Sequence, residues 1–158
     1  MKGYFMLRHF LGAALLLLGA LPTAAQSVID CDGWQASARN IAEPWETFSR
    51  GYANGEIRVA LLDTIEPAAG AFYLLVLTPP RQELGDRICG IVAEDDGGIG
   101  FAGLDFQQIA AAYEPATGLT LRMPAQRFAP ATAGFDPAIL AVSINQATGV
   151  IAPRFEIP

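Results

Sequence analysis

Apolar and polar side chains alternate with a period of two along much of the chain after residue 45, a pattern typical of half-buried β-strands. The segments 119–123 and 140–144 each place three large apolar residues at alternate positions. Residues 72–77 are apolar throughout, which favours a central strand covered on both faces. Pro79-Pro80 is expected to end that strand, because neither proline can donate a hydrogen bond to a ladder.

Turn signals separate these segments at short intervals. Asn54-Gly55 lies between predicted strands at 47–53 and 56–63, and this dipeptide suits the type I′ turn of a tight hairpin. Ala-Thr-Gly occurs at 116–118 and again at 147–149. Each of these predicts a hairpin loop that ends on a left-handed glycine.

One segment permits two interpretations. Phe106, Ile109 and Tyr113 are spaced as on a helical face, and Asp105 with Gln108 resembles a capping box. A strand ending at Tyr113 would instead pair through the turn that follows it, and we favour the strand.

The fold class predicted from these patterns is all-β. We expect an antiparallel β-sandwich or small β-barrel of about eight short strands. A short helix is possible in the N-terminal region between Cys31 and Ile41, ahead of Pro44.

Residues 1–25 have the composition of a secretory signal peptide. Lys2 and Arg8 form a positive n-region, residues 10–21 an apolar h-region, and Thr23-Ala24-Ala25 a small-residue cleavage site. We therefore expect a single mature β domain at residues 26–158, periplasmic or secreted, with no membrane anchor after cleavage. Two cysteines remain in it, Cys31 and Cys89, and in an oxidising compartment they predict one disulfide.

Removal of the leader also removes Lys2 and His9, the only lysine and the only histidine of the chain. Eight Arg then face sixteen acidic residues, a net charge of −8, which argues against nucleic acid as a partner. Without histidine and lysine, the mature domain cannot form a Ser-His-Asp triad, a lysine Schiff base or a His-ligated zinc site. No cofactor is indicated.

Carboxylates are the main acid–base groups that remain. Asp63 and Glu66, at a predicted strand end and in the next turn, are candidates for glycoside hydrolysis, although such acids usually form solvated turns. The acidic turn at 94–98 is a candidate calcium site, but its acids are consecutive, whereas an EF-hand loop alternates its ligands. A solvated turn is the simpler interpretation.

The segment 43–52 has the densest mixture of aromatic and charged residues. Its candidate interaction residues are Trp45, Glu46, Arg50 and Tyr52, because Trp, Tyr and Arg are enriched at binding hot spots. In the alternative interpretation, Trp45 and Phe48 cover the edge of the core while Glu46 pairs with Arg50.

The stretch 56–70, together with Glu43-Pro44-Trp45-Glu46, resembles small exported proteins of alphaproteobacteria that have no named function. The resemblance implies an exported protein and supplies no site residues.

Three functions are consistent with these observations. The leading hypothesis is a binding module that docks on another envelope protein through the segment 45–52 or an exposed strand edge. The alternative is a carrier of a small apolar ligand, with Phe72, Leu74 and Val76 lining its cavity. A hydrolase that uses only carboxylates is the third, and the oligomeric state stays open.

Overall fold

The computed structural model describes residues 26–156, so the predicted leader lies outside the described residues. Ten β-strands form the described part: β1 Ser27–Ile29, β2 Ser49–Tyr52, β3 Ile57–Asp63, β4 Phe72–Arg81, β5 Arg87–Ala93, β6 Gly103–Leu104, β7 Ala110–Glu114, β8 Gly118–Ala129, β9 Gly134–Ile144 and β10 Ile151–Glu156. Three single 3-10 turns accompany them, at Trp34–Ala36, Ala38–Asn40 and Phe106–Gln108, and a turn with left-handed backbone lies at Ala53–Gly55. No helix in this part of the chain has the length and apolarity needed to cross a membrane.

The strands form two antiparallel sheets. The first has the order β1-β5-β4-β3-β2, and the second has the order β10-β9-β8-β6, with β7 also paired to β8. The predicted all-β fold is confirmed, with ten strands rather than about eight. The strands β1 and β6 are three and two residues long, too short to show an alternation in the sequence.

The main core lies between the two sheets. Leu74 and Val76 of β4 and Leu121 of β8 are fully buried there, as is Leu140 of β9. On the opposite face of β4, Tyr73 packs with Leu62 and Ile91 in a second cluster. Residues 72–77 therefore form the expected central strand, but its second face is covered only in part, since Leu75 and Leu77 are half-buried and line an open groove.

The N-terminal segment covers that second cluster and is tied down by a disulfide. Cys31, Ala36 and Ile41 pack on it, and Cys31 is bonded to Cys89 of β5 with the two Cα atoms 5.8 Å apart. The predicted disulfide is confirmed, and closing a loop across 58 positions is expected to stabilise the fold by about 4 kcal/mol. A disulfide in an all-β fold is compatible with an extracytoplasmic location.

The predicted turns are present. The Glu56 amide donates to the Ala53 carbonyl at 3.1 Å, and Asn54 and Gly55 between them have φ of 57° and 84°, as a type I′ turn requires. Gly118 and Gly149 end their loops with φ of 91° and 76°. Local sequence is sufficient to predict these turns because each depends on residues that tolerate positive φ.

Two expectations need correction. β4 continues through Pro79-Pro80 to Arg81, because its ladder with β5 is interrupted at the prolines and resumes at the Arg81–Arg87 pair. No regular helix lies between Cys31 and Ile41, where two 3-10 turns occur instead.

The segment 105–114, for which the sequence permitted either a helix or a strand, contains a short capped turn followed by a strand. Asp105 accepts a hydrogen bond from the Gln108 amide and caps a single turn at Phe106–Gln108. The favoured strand then follows as β7 and pairs with β8 through the loop that ends at Gly118.

Candidate functional site

The hairpin formed by β8 and β9 is longer than the strands beside it. Its ladder runs from the Leu119–Ile144 pair to the Ala129–Gly134 pair. On one side β6 pairs with β8 only as far as Gln126, and on the other β10 reaches only Ile139 of β9. Residues 127–136 therefore extend beyond the described pairing of both neighbours.

The outward face of this hairpin changes character along its length. Near the body it is polar, since the Thr120 and Ser143 hydroxyls lie 3.1 Å apart and Arg122 donates to Glu156 at 3.0 Å. Towards the tip it becomes apolar. We call the outward residues of this end the hairpin face: Pro124, Gln126, Phe128, Phe135, Pro137 and Ile139.

Two phenylalanines form the centre of the hairpin face. The rings of Phe128 and Phe135 meet edge to face with centroids 6.1 Å apart, and the residues keep 40% and 54% of their surface exposed. The loop between them, residues 129–134, carries no charged side chain. Contiguous exposed apolar surface on a small domain often marks an interaction site, since single exposed residues are common but clusters are not.

An open groove of about 580 Å³ adjoins the hairpin face. Pro124, Pro137 and Ile139 line one side of the groove. The rest of its apolar lining includes Phe48 next to β2 of the other sheet, Leu104 of β6, and Phe106 in the turn before β7. Its polar groups are Asp105, Gln107 and Gln126. The groove thus connects the hairpin face to the segment 45–52 through Phe48.

The four candidate residues of that segment have different environments. Trp45 is 52% exposed and Glu46 is also exposed. Arg50 instead donates to the carbonyl oxygens of Gln107 and Ile109, at 3.2 and 3.4 Å, and lies over the ring of Phe106. Tyr52 is half-buried against the core.

Arg50 and Tyr52 are therefore structural contacts, while Trp45 and Glu46 face solvent. The alternative interpretation placed both Trp45 and Phe48 at the edge of the core. Phe48 does pack against the core, whereas Trp45 does not.

A buried carboxyl group lies between the sheets at the base of the hairpin end. Glu94 follows β5, and its side chain is only 15% exposed, with Oε1 3.8 Å from Nε of Arg127. Its Oε2 is buried and has no hydrogen-bond partner among the described residues. Burial raises the pKa of the Glu94 carboxyl to about 7, and nearby Asp95 adds to this rise, whereas Arg127 opposes it.

The other acidic candidates serve their own turns. Asp63 accepts from the Ile65 amide at 2.8 Å, and Glu66 accepts from the Ala68 amide at 3.1 Å. In the acidic turn, Asp95 accepts from the Ile99 amide at 3.1 Å. Across residues 26–156, no three potential metal-ligating side chains are grouped closely enough to hold an ion.

The hairpin face was missed in the sequence, although a signal for it exists. The inward residues of segment 119–123 predict the strand, and the alternation of inward and outward positions continues beyond them to residue 128. Continued to residue 128, the outward positions are Thr120, Arg122, Pro124, Gln126 and Phe128, so the charged and hydroxyl side chains give way to a largely apolar set. Apolar residues at positions that face away from the core are the feature that indicates a binding surface.

Comparison of the chain with protein-family models, with curated proteins and with solved structures found no match.

Proposed function

We propose that this protein is an exported binding module of the cell envelope that docks on another envelope protein through the hairpin face. The observation that carries the proposal is the largely apolar character of that face where its strands extend beyond the described pairing with β6 and β10. The adjoining groove, which is lined in part by Phe48, extends the same surface. Export is supported by the disulfide and by the signal-peptide pattern of residues 1–25.

Protein is the occupant that best fits this surface. The hairpin face is uncharged and is built on paired strands, which hold its two phenylalanines in place at small entropic cost on binding. A membrane surface is a poorer fit, since residues 26–158 carry a net charge of −8 and the hairpin's Arg127 is turned towards Glu94. The partner is then expected to present a complementary apolar surface with few charges.

The test places a photoreactive phenylalanine analogue at position 135 or, as a control, at position 113. Tyr113 is an exposed aromatic residue of β7 in the same sheet, 62% exposed, and it lies outside the hairpin face. We expect a discrete cross-linked adduct in the envelope of the exporting cell from position 135 alone. Equal adducts from both positions would argue against a dedicated surface.

Binding of the purified cross-linked partner then measures the contribution of the phenylalanines. The double variant Phe128→Thr/Phe135→Thr keeps strand-forming residues and removes both rings. If the rings are binding hot spots, its Kd rises by about 100-fold. The Tyr113→Thr variant keeps the wild-type Kd. An unchanged Kd in the double variant would refute the assignment of the docking surface.

The small-ligand carrier is a second proposal, supported by the volume of the groove, which falls within the usual range for ligand sites. Leu74 and Val76, which the sequence suggested as cavity-lining residues, belong to the packed core between the sheets. A carrier would therefore hold its ligand in the groove, which other residues line. A fatty acid that raises the Tm of the wild type, but not of a Gln107→Trp variant in which an exposed residue of the groove lining is enlarged, would favour it. No shift across a range of apolar ligands would exclude it.

A further inference from the structure

Arg127 connects the hairpin end to the body of the sandwich. It is the first hairpin residue beyond the pairing with β6, and its guanidinium carbon lies 4.9 Å from the ring centroid of Phe155 in β10. Phe155 in turn meets the buried ring of Phe101 edge to face at 5.7 Å. The same Arg127 faces Glu94 at 3.8 Å, so one side chain joins the hairpin to both sheets.

Glu94 is poorly placed to carry a charge. One oxygen has only a long contact to Arg127, and the other is buried without a hydrogen-bond donor among residues 26–156. An ionised carboxylate in this position loses hydration that the single guanidinium does not replace, whereas the protonated acid loses much less. Ionisation therefore favours any rearrangement that brings water to the carboxylate.

We propose that the Glu94–Arg127 contact is a pH-sensitive latch on the β8–β9 hairpin. When Glu94 is protonated, Arg127 and residues 127–136 stay packed against the body. When Glu94 ionises, the contact opens so that the carboxylate and the guanidinium are both hydrated, and the hairpin end becomes mobile.

Few other charges face this contact. Asp95 lies in the turn of Glu94 itself and favours the protonated form. Among residues 26–156, Asp136 lies opposite Arg127 in the β8–β9 ladder, and Phe155 of β10, which contacts Arg127, is uncharged. On β1, Ser27 is uncharged and donates to the carbonyl oxygen of Asp95. Glu94→Gln therefore isolates the contribution of Glu94 from those of Asp95 and Asp136.

The size of the expected effect follows from the pKa of Glu94. That pKa is about 7 in the closed form against an ordinary value of 4.5. If opening restores the ordinary value, the opening equilibrium constant rises by about 70-fold between pH 5 and pH 8. Most of the rise takes place below pH 7, and the constant levels off above that pH.

Hydrogen exchange of the purified protein tests the latch. Amide exchange at residues 127–136, corrected for the intrinsic pH dependence, is measured at pH 5, 6, 7 and 8 by mass spectrometry. We expect the wild type to show the rise and Glu94→Gln, which is isosteric and does not ionise, to show none. Glu56→Gln is the matched control, because it removes a carboxylate of the exposed pair with Arg81 and keeps the rise.

A second variant keeps the test decisive if Glu94→Gln proves unstable. Arg127→Gln removes the contact itself, so residues 127–136 are expected to exchange quickly at every pH, without the rise. A corrected exchange rate in the wild-type hairpin that does not vary with pH would overturn the latch. So would a full rise in Glu94→Gln.

The latch connects to function only through the docking proposal. If the hairpin face is the docking surface, opening disorders it, and partner affinity is weaker at pH 8 than at pH 6. The exchange experiment contains no partner, so its result stands or fails separately from the docking test. Cross-linking without pH-dependent exchange would leave a docking surface with no latch.

Discussion

Phe128 and Phe135 stack edge to face across the β8–β9 hairpin, 6.1 Å apart, on the side that faces away from the core. Phe101 and Phe155 make the same kind of contact at 5.7 Å, but Phe101 is fully buried. The two pairs therefore share a geometry and differ in solvent exposure. Since stability depends mainly on burial, the outer pair is free to serve binding.

The first prediction compares the stability contributions of these pairs. Phe128→Thr/Phe135→Thr should lower the free energy of unfolding by about 1 kcal/mol, the usual worth of an exposed aromatic contact. Phe101→Ala should lower it by about 3–5 kcal/mol, because it leaves a cavity in the core. Urea denaturation measures both, and a loss above about 2 kcal/mol in the double variant would identify the hairpin face as part of the fold.

The second prediction separates Trp45 from Arg50. Arg50→Ala removes two hydrogen bonds to backbone carbonyl oxygens and the contact over Phe106, so it should cost about 1–2 kcal/mol. Trp45→Ala, at a residue 52% exposed, should cost less than about 0.5 kcal/mol. Thermal denaturation compares the two variants. If both losses are equally large, Trp45 is also a packing residue, and the segment 45–52 has no free binding role.

The third prediction concerns two glycines with similar backbone conformation. Gly55 and Gly118 have φ of 84° and 91°, so alanine is strained at either position. A Cβ at Gly55 would meet nothing within 4 Å, whereas a Cβ at Gly118 would lie 2.3 Å from the carbonyl oxygen of Ile144. Gly55→Ala should cost about 1 kcal/mol, and Gly118→Ala at least about 1 kcal/mol more. Equal losses in urea denaturation would show that the loop before β8 can shift to accept a methyl group.

The fourth prediction is a pH dependence of global stability. The pKa of Glu94 is raised to about 7 in the folded state, so folding binds a proton between pH 4.5 and 7. The stabilisation from protonated Glu94 is fully present below pH 4.5 and is lost as pH rises through 7, by at most about 3 kcal/mol.

Glu156 acts in the opposite direction. Hydrogen bonds from Arg122 and then Arg154 lower its pKa, so its contribution is present above the ordinary carboxyl pKa and is lost as pH falls through the lowered value. The difference in unfolding free energy between wild type and Glu94→Gln, measured from pH 4 to 8, isolates the Glu94 contribution. A flat difference would mean that Glu94 is hydrated in solution.

Short sequence motifs predicted the local backbone correctly where a single residue type determines the conformation of a turn. Asn54-Gly55 adopts the predicted turn because both residues tolerate positive φ, and Asp105 caps one turn because its carboxylate reaches the Gln108 amide. Pro79-Pro80 was a misleading signal. A proline cannot donate to a ladder, but the ladder between β4 and β5 resumes beyond the break, which depends on the partner strand and is not encoded locally.

The sequence by itself determined the all-β class, the turns and the cysteine pairing, because alternation, positive-φ residues and an even number of thiols act through local rules or simple counting. The tertiary structure alone decided which surfaces are left open. Phe128 is exposed because it lies on the outward face of the β8–β9 hairpin, and Glu94 is largely buried where Arg127 approaches it from the other sheet. Both outcomes depend on strands distant in the chain, so exposure and pKa follow from how the sheets pack rather than from the residues alone.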